Sequence, residues 1–299
     1  MIYYYGIGLL IKKGYIERIK RVMLEIIKAI IYGIVEGITE WLPISSTGHM
    51  ILLEKIMPMK VSEEFWSMFL VVVQLGAILA VVLMFWKKIF PFRFERPDVI
   101  DWDIMELWGK ILVACIPAGV VGIVFGDWLD EHLYNFWVVA VMLIAVGIIF
   151  IIVENKNKRS KPIIRHTKDL TWQVAFIIGL FQLVAAIFPG TSRSGATIIG
   201  ALMIGVSRTV AAEFTFYLAI PVMFGASLLK LVKFGFAFSG QELSILLVGM
   251  AVSFLVSVAV IRFLMGYIRK HDFKVFAWYR IFLGAFVLLY FGVLSGAME

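Results

Sequence analysis

A chain of 299 residues that is 62% hydrophobic and 16% charged, with a mean hydropathy of +0.95, lies outside the range of soluble domains and reads as a polytopic integral membrane protein. A net charge of +7 would suit nucleic acid in a soluble protein, but the cations sit in short loops beside apolar spans, where lipid phosphates and positive-inside bias account for them, so no nucleic-acid partner is expected. The single cysteine, Cys115, rules out an intrachain disulfide and a cysteine metal cluster.

In chain order, residues 1–21 read as an interfacial tail, because the apolar opening MIYYYGIGLLI precedes Lys12, Lys13, Arg18, Lys20 and Arg21, the reverse of a cleavable signal peptide. An interrupted apolar segment follows over 22–57 and contains GIVEGITEWLPISSTGH. The runs 65–86, 108–126 and 135–153 then each approach the ~20 residues that cross ~30 Å of hydrocarbon. A basic linker, 154–171, leads to a second interrupted segment over 172–206, containing GLFQLVAAIFPGTSRSG, and to three more runs, 210–229, 243–261 and 276–297.

The two interrupted segments align at a constant offset: Gly33 falls on Gly179, Glu36 on Gln182, Pro43 on Pro189, Ser45 on Thr191 and Ser46 on Ser192. Broken helices at matching places in two halves mark a binding site in a membrane protein. If each segment crosses once, Arg262, Arg269, Lys270 and Lys274 fall outside the cell; if both are re-entrant, the N-terminal cations with Lys230 and Lys233 are misplaced instead. Charge slightly favours crossing, but the repeat favours re-entry, because three spans between the copies then invert the second relative to the first and bring both breaks toward the midplane. The expected fold is therefore all-α and polytopic, with six crossing helices and two re-entrant helical hairpins in an inverted repeat, its halves being 22–153 and 172–299.

Glu36 and Glu40 are spaced to share one helix face a turn apart. With Arg193 they represent a cost of roughly 8 to 10 kcal/mol inside a membrane, to be offset by pairing, solvation or ligand; the bland alternative is an interfacial helix whose glutamates face water or pair with Lys28. The ISSTGH turn supplies hydroxyls at Ser45, Ser46 and Thr47 and a histidine, His49, suited to proton transfer, whereas His132, His166 and His271 lie in charged loops. PGTSRSGAT resembles an anion cradle, with hydroxyls at Thr191, Ser192, Ser194 and Thr197 around the Arg193 guanidinium. The inventory fits phosphoryl transfer at a composite site, with Glu36 and Glu40 able to hold Mg²⁺ or Ca²⁺ against phosphate oxygens. Elsewhere, Arg208 and Glu213 are expected to pair, Arg280 to snorkel, and Gln74 to brace re-entrant backbone.

EGITEWLPISSTGHMIL, PGTSRSGAT, VVVQLGAILAVV (71–82) and AAEFTFYLAIPVM (211–223) together resemble the undecaprenyl-diphosphatase, or bacitracin-resistance, family of bacterial membranes, over nearly the whole chain from about residue 22. The resemblance implies a multi-pass enzyme of the bacterial inner membrane that dephosphorylates undecaprenyl diphosphate and returns the carrier lipid to cell-wall synthesis. It also implies a site of Glu36, Glu40, Ser46, His49 and Arg193, with Ser45, Thr47, Ser192, Ser194 and Thr197 around it. The attacking group stays open between Ser46 activated by His49, His49 itself and a metal-bound water, and a homodimer is among the open oligomeric states. The competing reading is a polyprenyl-phosphate transporter or flippase, which would need no acid-base pair. A second membrane phosphatase superfamily is excluded because no histidine follows Ser192 and Arg193 at short range.

Overall fold

The computed structural model describes residues 2–94, 99–158 and 161–294; parts of the expected tail side chains, of the basic loops at 95–98 and 159–160, and of the C-terminus beyond 294 lie outside the described residues. The chain is helical almost throughout: α1 (Ile2–Thr39), α2 (Ser46–Ile56), α3 (Glu63–Val72), α4 (Gln74–Met84), α5 (Trp86–Ile89), α6 (Trp102–Leu133), α7 (Phe136–Asn157), α8 (Trp172–Ile187), α9 (Arg193–Met203), α10 (Arg208–Phe234), α11 (Gly240–Tyr267) and α12 (Lys274–Leu289). Strand pairing among the described residues is limited to the isolated bridges Phe92–Ile100 and Ile164–Val206. Among the described residues six helical stretches are long and apolar enough to cross a membrane, Glu63–Met84, Trp102–Gly126, Phe136–Asn157, Arg208–Phe234, Gly240–Tyr267 and Lys274–Gly292, and each contains or overlaps an expected run. The first helix begins at Ile2 and continues through the segment read as a tail without a break.

Local sequence sets where the helices start. Ser62, Asp101, Asn135, Thr171, Ser207 and Ser239 each accept a hydrogen bond from a backbone N–H in the first turn of the helix that follows, and Glu242 completes a capping box with Ser239. In lipid the apolar faces gain little by meeting each other, so close approach of backbones holds the bundle together. A Cβ on Gly33 would lie 2.6 Å from the Gly249 carbonyl oxygen, which seats α1 on α11, and one on Gly179 would lie 2.4 Å from that of Ala114, which seats α8 on α6. The α7–α12 contact is reciprocal: a Cβ on Gly147 would lie 2.8 Å from the Ala277 oxygen and one on Gly284 would lie 2.8 Å from the Ala140 oxygen. Each of the first two contacts joins a helix before a break to a helix of the other half.

Both broken segments are tied end to end. Lys28 Nζ donates to the Pro58 oxygen at 2.7 Å, Tyr32 Oη to the Met57 oxygen at 3.2 Å, and Lys60 N to Glu25 Oε2 at 3.0 Å, so the chain leaving α2 is fastened to the earlier part of α1. In the second copy Ser207 N donates to the Ile164 oxygen at 2.9 Å and Ile163 N to the Gly205 oxygen at 2.8 Å, joining the segment after α9 to the one before α8. In this second segment α9 is buried from Ser194 to Leu202 and touches α7, α8 and α10. Gly179→Ala is expected to destabilise the protein by about 1–3 kcal/mol through overpacking, read as a lower melting temperature in detergent. Gly225→Ala, with nothing within 4 Å, is expected to be neutral or slightly stabilising.

Candidate active site

Two prolines create the site. Pro43 and Pro189 cannot extend the ladders of α1 and α8, so the chain turns and restarts as α2 and α9. At each restart a serine takes a left-handed backbone: Ser45 (φ 73°) and Ser192 (φ 68°) are the only non-glycine residues with positive φ among the described residues. Each caps its helix, Ser45 Oγ accepting from Gly48 N at 3.4 Å and Ser192 Oγ from Gly195 N at 3.1 Å. Such a conformation costs roughly 1–2 kcal/mol in a non-glycine residue, and strain of this kind concentrates at functional sites.

These matching caps correct the sequence alignment. Beyond the prolines Ser45 corresponds to Ser192 rather than to Thr191, because the second copy carries an extra residue in its turn. Gly190 (φ +89°) is one of the residues that take up this difference, and a Cβ there would lie 2.5 Å from the Val139 oxygen, so glycine is required. The shift places Ser46 and Arg193 at the same position, the first residue of their helices.

Glu40 joins the two positions. Its Oε2 accepts from Ser46 Oγ at 2.8 Å and its Oε1 from Arg193 Nη2 at 3.1 Å. Arg193 is further held by donation from Nη1 to the Thr215 oxygen at 2.9 Å, while Thr197 Oγ1 donates to the Arg193 oxygen at 2.9 Å and lies 2.8 Å from Thr215 Oγ1. Ser194 Oγ donates to the Glu40 backbone carbonyl oxygen at 3.2 Å, and Ser192 Oγ lies 3.1 Å from Ser194 Oγ. Glu36 is buried one turn before Glu40, and its Oε1 has no hydrogen-bond partner. Lys28 is engaged by Glu25 at 2.9 Å, which removes the alternative in which it pairs with these glutamates. Thr47 follows Ser46 in the first turn of α2 and is half-buried.

His49 sits on α2 with its Nδ1 2.7 Å from the Ser45 oxygen and its Nε2 2.7 Å from Tyr279 Oη. It therefore shares the Ser45 turn with Ser46, but the Ser46 hydroxyl is hydrogen-bonded to Glu40 and not to the imidazole. Arg280, next to Tyr279, is fully buried and donates to the Pro43 oxygen at 3.1 Å, the Gly190 oxygen at 2.9 Å and the Thr191 oxygen at 2.8 Å. One guanidinium thus holds both broken turns. Further buried polar atoms without a partner lie on the same two segments: Trp41 Nε1, both amide atoms of Gln182, Thr191 Oγ1 and Arg193 Nε.

The sequence profile of the family described as bacitracin resistance protein BacA matches residues 29–286. The chain belongs to the BacA family. Among its relatives are an undecaprenyl-diphosphatase of Desulfitobacterium hafniense, 63% identical over 90% of this chain and 97% of the relative, and one of Acetivibrio thermocellus, 61% identical over 90% and 98%. An undecaprenyl-diphosphatase of Enterococcus faecalis is 58% identical over 89% of this chain and 97% of its own length.

Every site residue expected from sequence in this BacA-family protein lies on or beside the two broken turns; Tyr279, Thr215 and the role of Arg280 were not foreseen. Arg280 does not snorkel, because its four-residue spacing from the span start mattered less than the carbonyl oxygens that two broken turns leave without donors. Arg208 does not pair with Glu213 either. It forms a bidentate pair with Glu154, which also accepts from Phe273 N at 3.0 Å, while Glu213 accepts from Lys88 Nζ at 2.8 Å and from Thr167 Oγ1 at 3.3 Å. Gln74 opens α4 and takes no part in the network of the two turns. Arg280→Met is expected to cost about 3 kcal/mol or more, because several buried carbonyls lose their donors together, and to lower the melting temperature in detergent; a snorkelling arginine would cost a few tenths.

Proposed function

We propose that the protein hydrolyses undecaprenyl diphosphate to undecaprenyl phosphate and inorganic phosphate in the bacterial inner membrane, recycling the carrier lipid for cell-wall synthesis. The observation that carries this reading is the meeting of Ser46 and Arg193, equivalent residues of two broken helices, on the Glu40 carboxylate. A hydroxyl already donating to a carboxylate is a nucleophile with its proton acceptor in place, and a guanidinium beside it suits the oxygens of a phosphate. Membership of the BacA family and the names of the relatives support the same substrate.

In this mechanism Arg193 and the first-turn N–H groups of α2 and α9 bind the terminal phosphoryl group, where helix N-termini favour anions. Ser46 Oγ attacks the terminal phosphorus, its proton passes to Glu40, and the phosphoanhydride bond breaks to release undecaprenyl phosphate. Water then attacks the phosphoserine, His49 accepting its proton while Glu40 returns its proton to Ser46 Oγ, and inorganic phosphate is released. Ser45, Thr47, Ser192, Ser194 and Thr197 shape the turns and hold the groups that touch the phosphates. The residues also fit a divalent cation: Glu36 has a buried oxygen without a partner, and Glu36 with Glu40 would hold Mg²⁺ or Ca²⁺. Among the described residues no group of three or more His, Cys, Asp or Glu side chains is placed to hold a metal ion, so phosphate oxygens and water would complete the coordination. When bound, the ion supplies Lewis-acid stabilisation of phosphate charge.

The fold reading goes with it: both broken segments are re-entrant hairpins, and the two halves are inverted copies. The ties from Lys60 to Glu25 and from Ser207 to Ile164 support hairpins that leave on the side they entered. The exchanged seating of α1 on α11 and α8 on α6 supports the two-fold relation.

Phosphate release from a long-chain prenyl diphosphate by purified protein tests the function. Arg193→Ala is expected to lower kcat by roughly 10²–10³-fold, the effect of removing one preorganised charge donor, while His166→Ala leaves it unchanged. Chelation is expected to abolish release and added Mg²⁺ or Ca²⁺ to restore it. Ser46→Ala should also remove any phosphorus-labelled enzyme trapped by rapid acid quench. Well-folded protein that releases no phosphate would transfer the assignment to lipid transport.

A further inference from the structure

His49 can serve proton transfer only if its basic nitrogen is defined. The imidazole has two neighbours: the Ser45 backbone oxygen, 2.7 Å from Nδ1, and Tyr279 Oη, 2.7 Å from Nε2. A carbonyl oxygen has no proton to give, so Nδ1 carries the hydrogen and donates it. In the neutral ring Nε2 then has no hydrogen, and the contact with Tyr279 is a hydrogen bond donated by the phenol. The two ring planes lie within 2° of parallel. The Ser45 oxygen belongs to the residue whose left-handed backbone forms the first turn, so the turn itself faces one edge of the imidazole and α12 faces the other.

We propose that Tyr279 is a positioning residue that orients the His49 ring through Nε2, the basic atom that the Ser45 oxygen leaves without a hydrogen, and that it yields this nitrogen to the reacting water during turnover. The proposal rests on the phosphatase reading for its place in the reaction but not for the tautomer it assigns. Tyr279 suits the role by its placement. Tyr279 is 44% exposed, so it can withdraw without disturbing a packed core, whereas its neighbour Arg280 is fully buried and fixed to both turns. Consecutive residues of α12 therefore divide two tasks, one fastening the broken backbone and the other orienting the proton carrier on it.

The test combines spectroscopy and kinetics on the full-length protein in detergent. With ¹⁵N-histidine incorporated and His132, His166 and His271 replaced by glutamine, His49 is expected to show a pyrrole-like Nδ1 and a pyridine-like, hydrogen-bonded Nε2. Tyr279→Phe is expected to move the Nε2 resonance while Nδ1 stays pyrrole-like, to lower kcat roughly tenfold with KM within twofold, and to leave the melting temperature unchanged. A pyrrole-like Nε2 in the parent protein, or a Tyr279→Phe variant with an unaltered spectrum, overturns the proposal. Because the spectrum needs no turnover, its outcome is separate from that of the phosphatase assay: absence of phosphate release with the expected spectrum defeats the functional reading and leaves the tautomer assignment standing.

Discussion

A helix interrupted inside a protein leaves buried carbonyl oxygens without their usual partners, and each must find a donor elsewhere. This chain is interrupted twice, and one fully buried guanidinium serves both interruptions: Arg280 donates to Pro43 in the first turn and to Gly190 and Thr191 in the second. The prolines stop the helices, but the arginine from α12 makes the stopped ends tolerable. Burying an ion is costly unless its hydrogen-bonding capacity is filled. Here several carbonyl dipoles fill it.

With the turns fixed, the chemistry follows from an asymmetry between similar parts. Serine caps, left-handed backbones and short helices recur in both copies, yet the first helical residue is Ser46 in one and Arg193 in the other. A hydroxyl and a permanent cation thus stand in matching places, and the Glu40 carboxylate reaches both. Glu36 has Gln182 as its counterpart, so the negative charge also belongs to one copy only. Similar turns place the two residues, and their unequal chemistry gives the site opposite poles.

Much of this was legible in the sequence. The six spans appear as uninterrupted apolar runs, and the site residues could be picked out because charges and hydroxyls are expensive in such surroundings. The alignment of the copies was legible only up to the prolines, since one extra residue in the second turn changes the register without altering the composition, and only the backbone angles of Ser45 and Ser192 reveal it. Arg280, Thr215 and Tyr279 were harder for a different reason. Their partners are backbone oxygens, another hydroxyl and a ring nitrogen far away in sequence, so no local pattern marks them. The pairing of Arg208 was misjudged because nearness in sequence favoured Glu213, whereas the fold places Glu154 across from it.

Ser194 donates to the Glu40 and Leu42 carbonyl oxygens, so the frayed end of the first helix is finished by a side chain from the other half. Neither break is complete by itself. To part the two broken segments, the protein would have to uncap α1, separate Glu40 from Arg193 and strip Arg280 from one turn, all at once. Any breathing that admits a lipid headgroup must therefore carry both turns as a single rigid block, and the yielding surfaces have to be sought among the helices around that block.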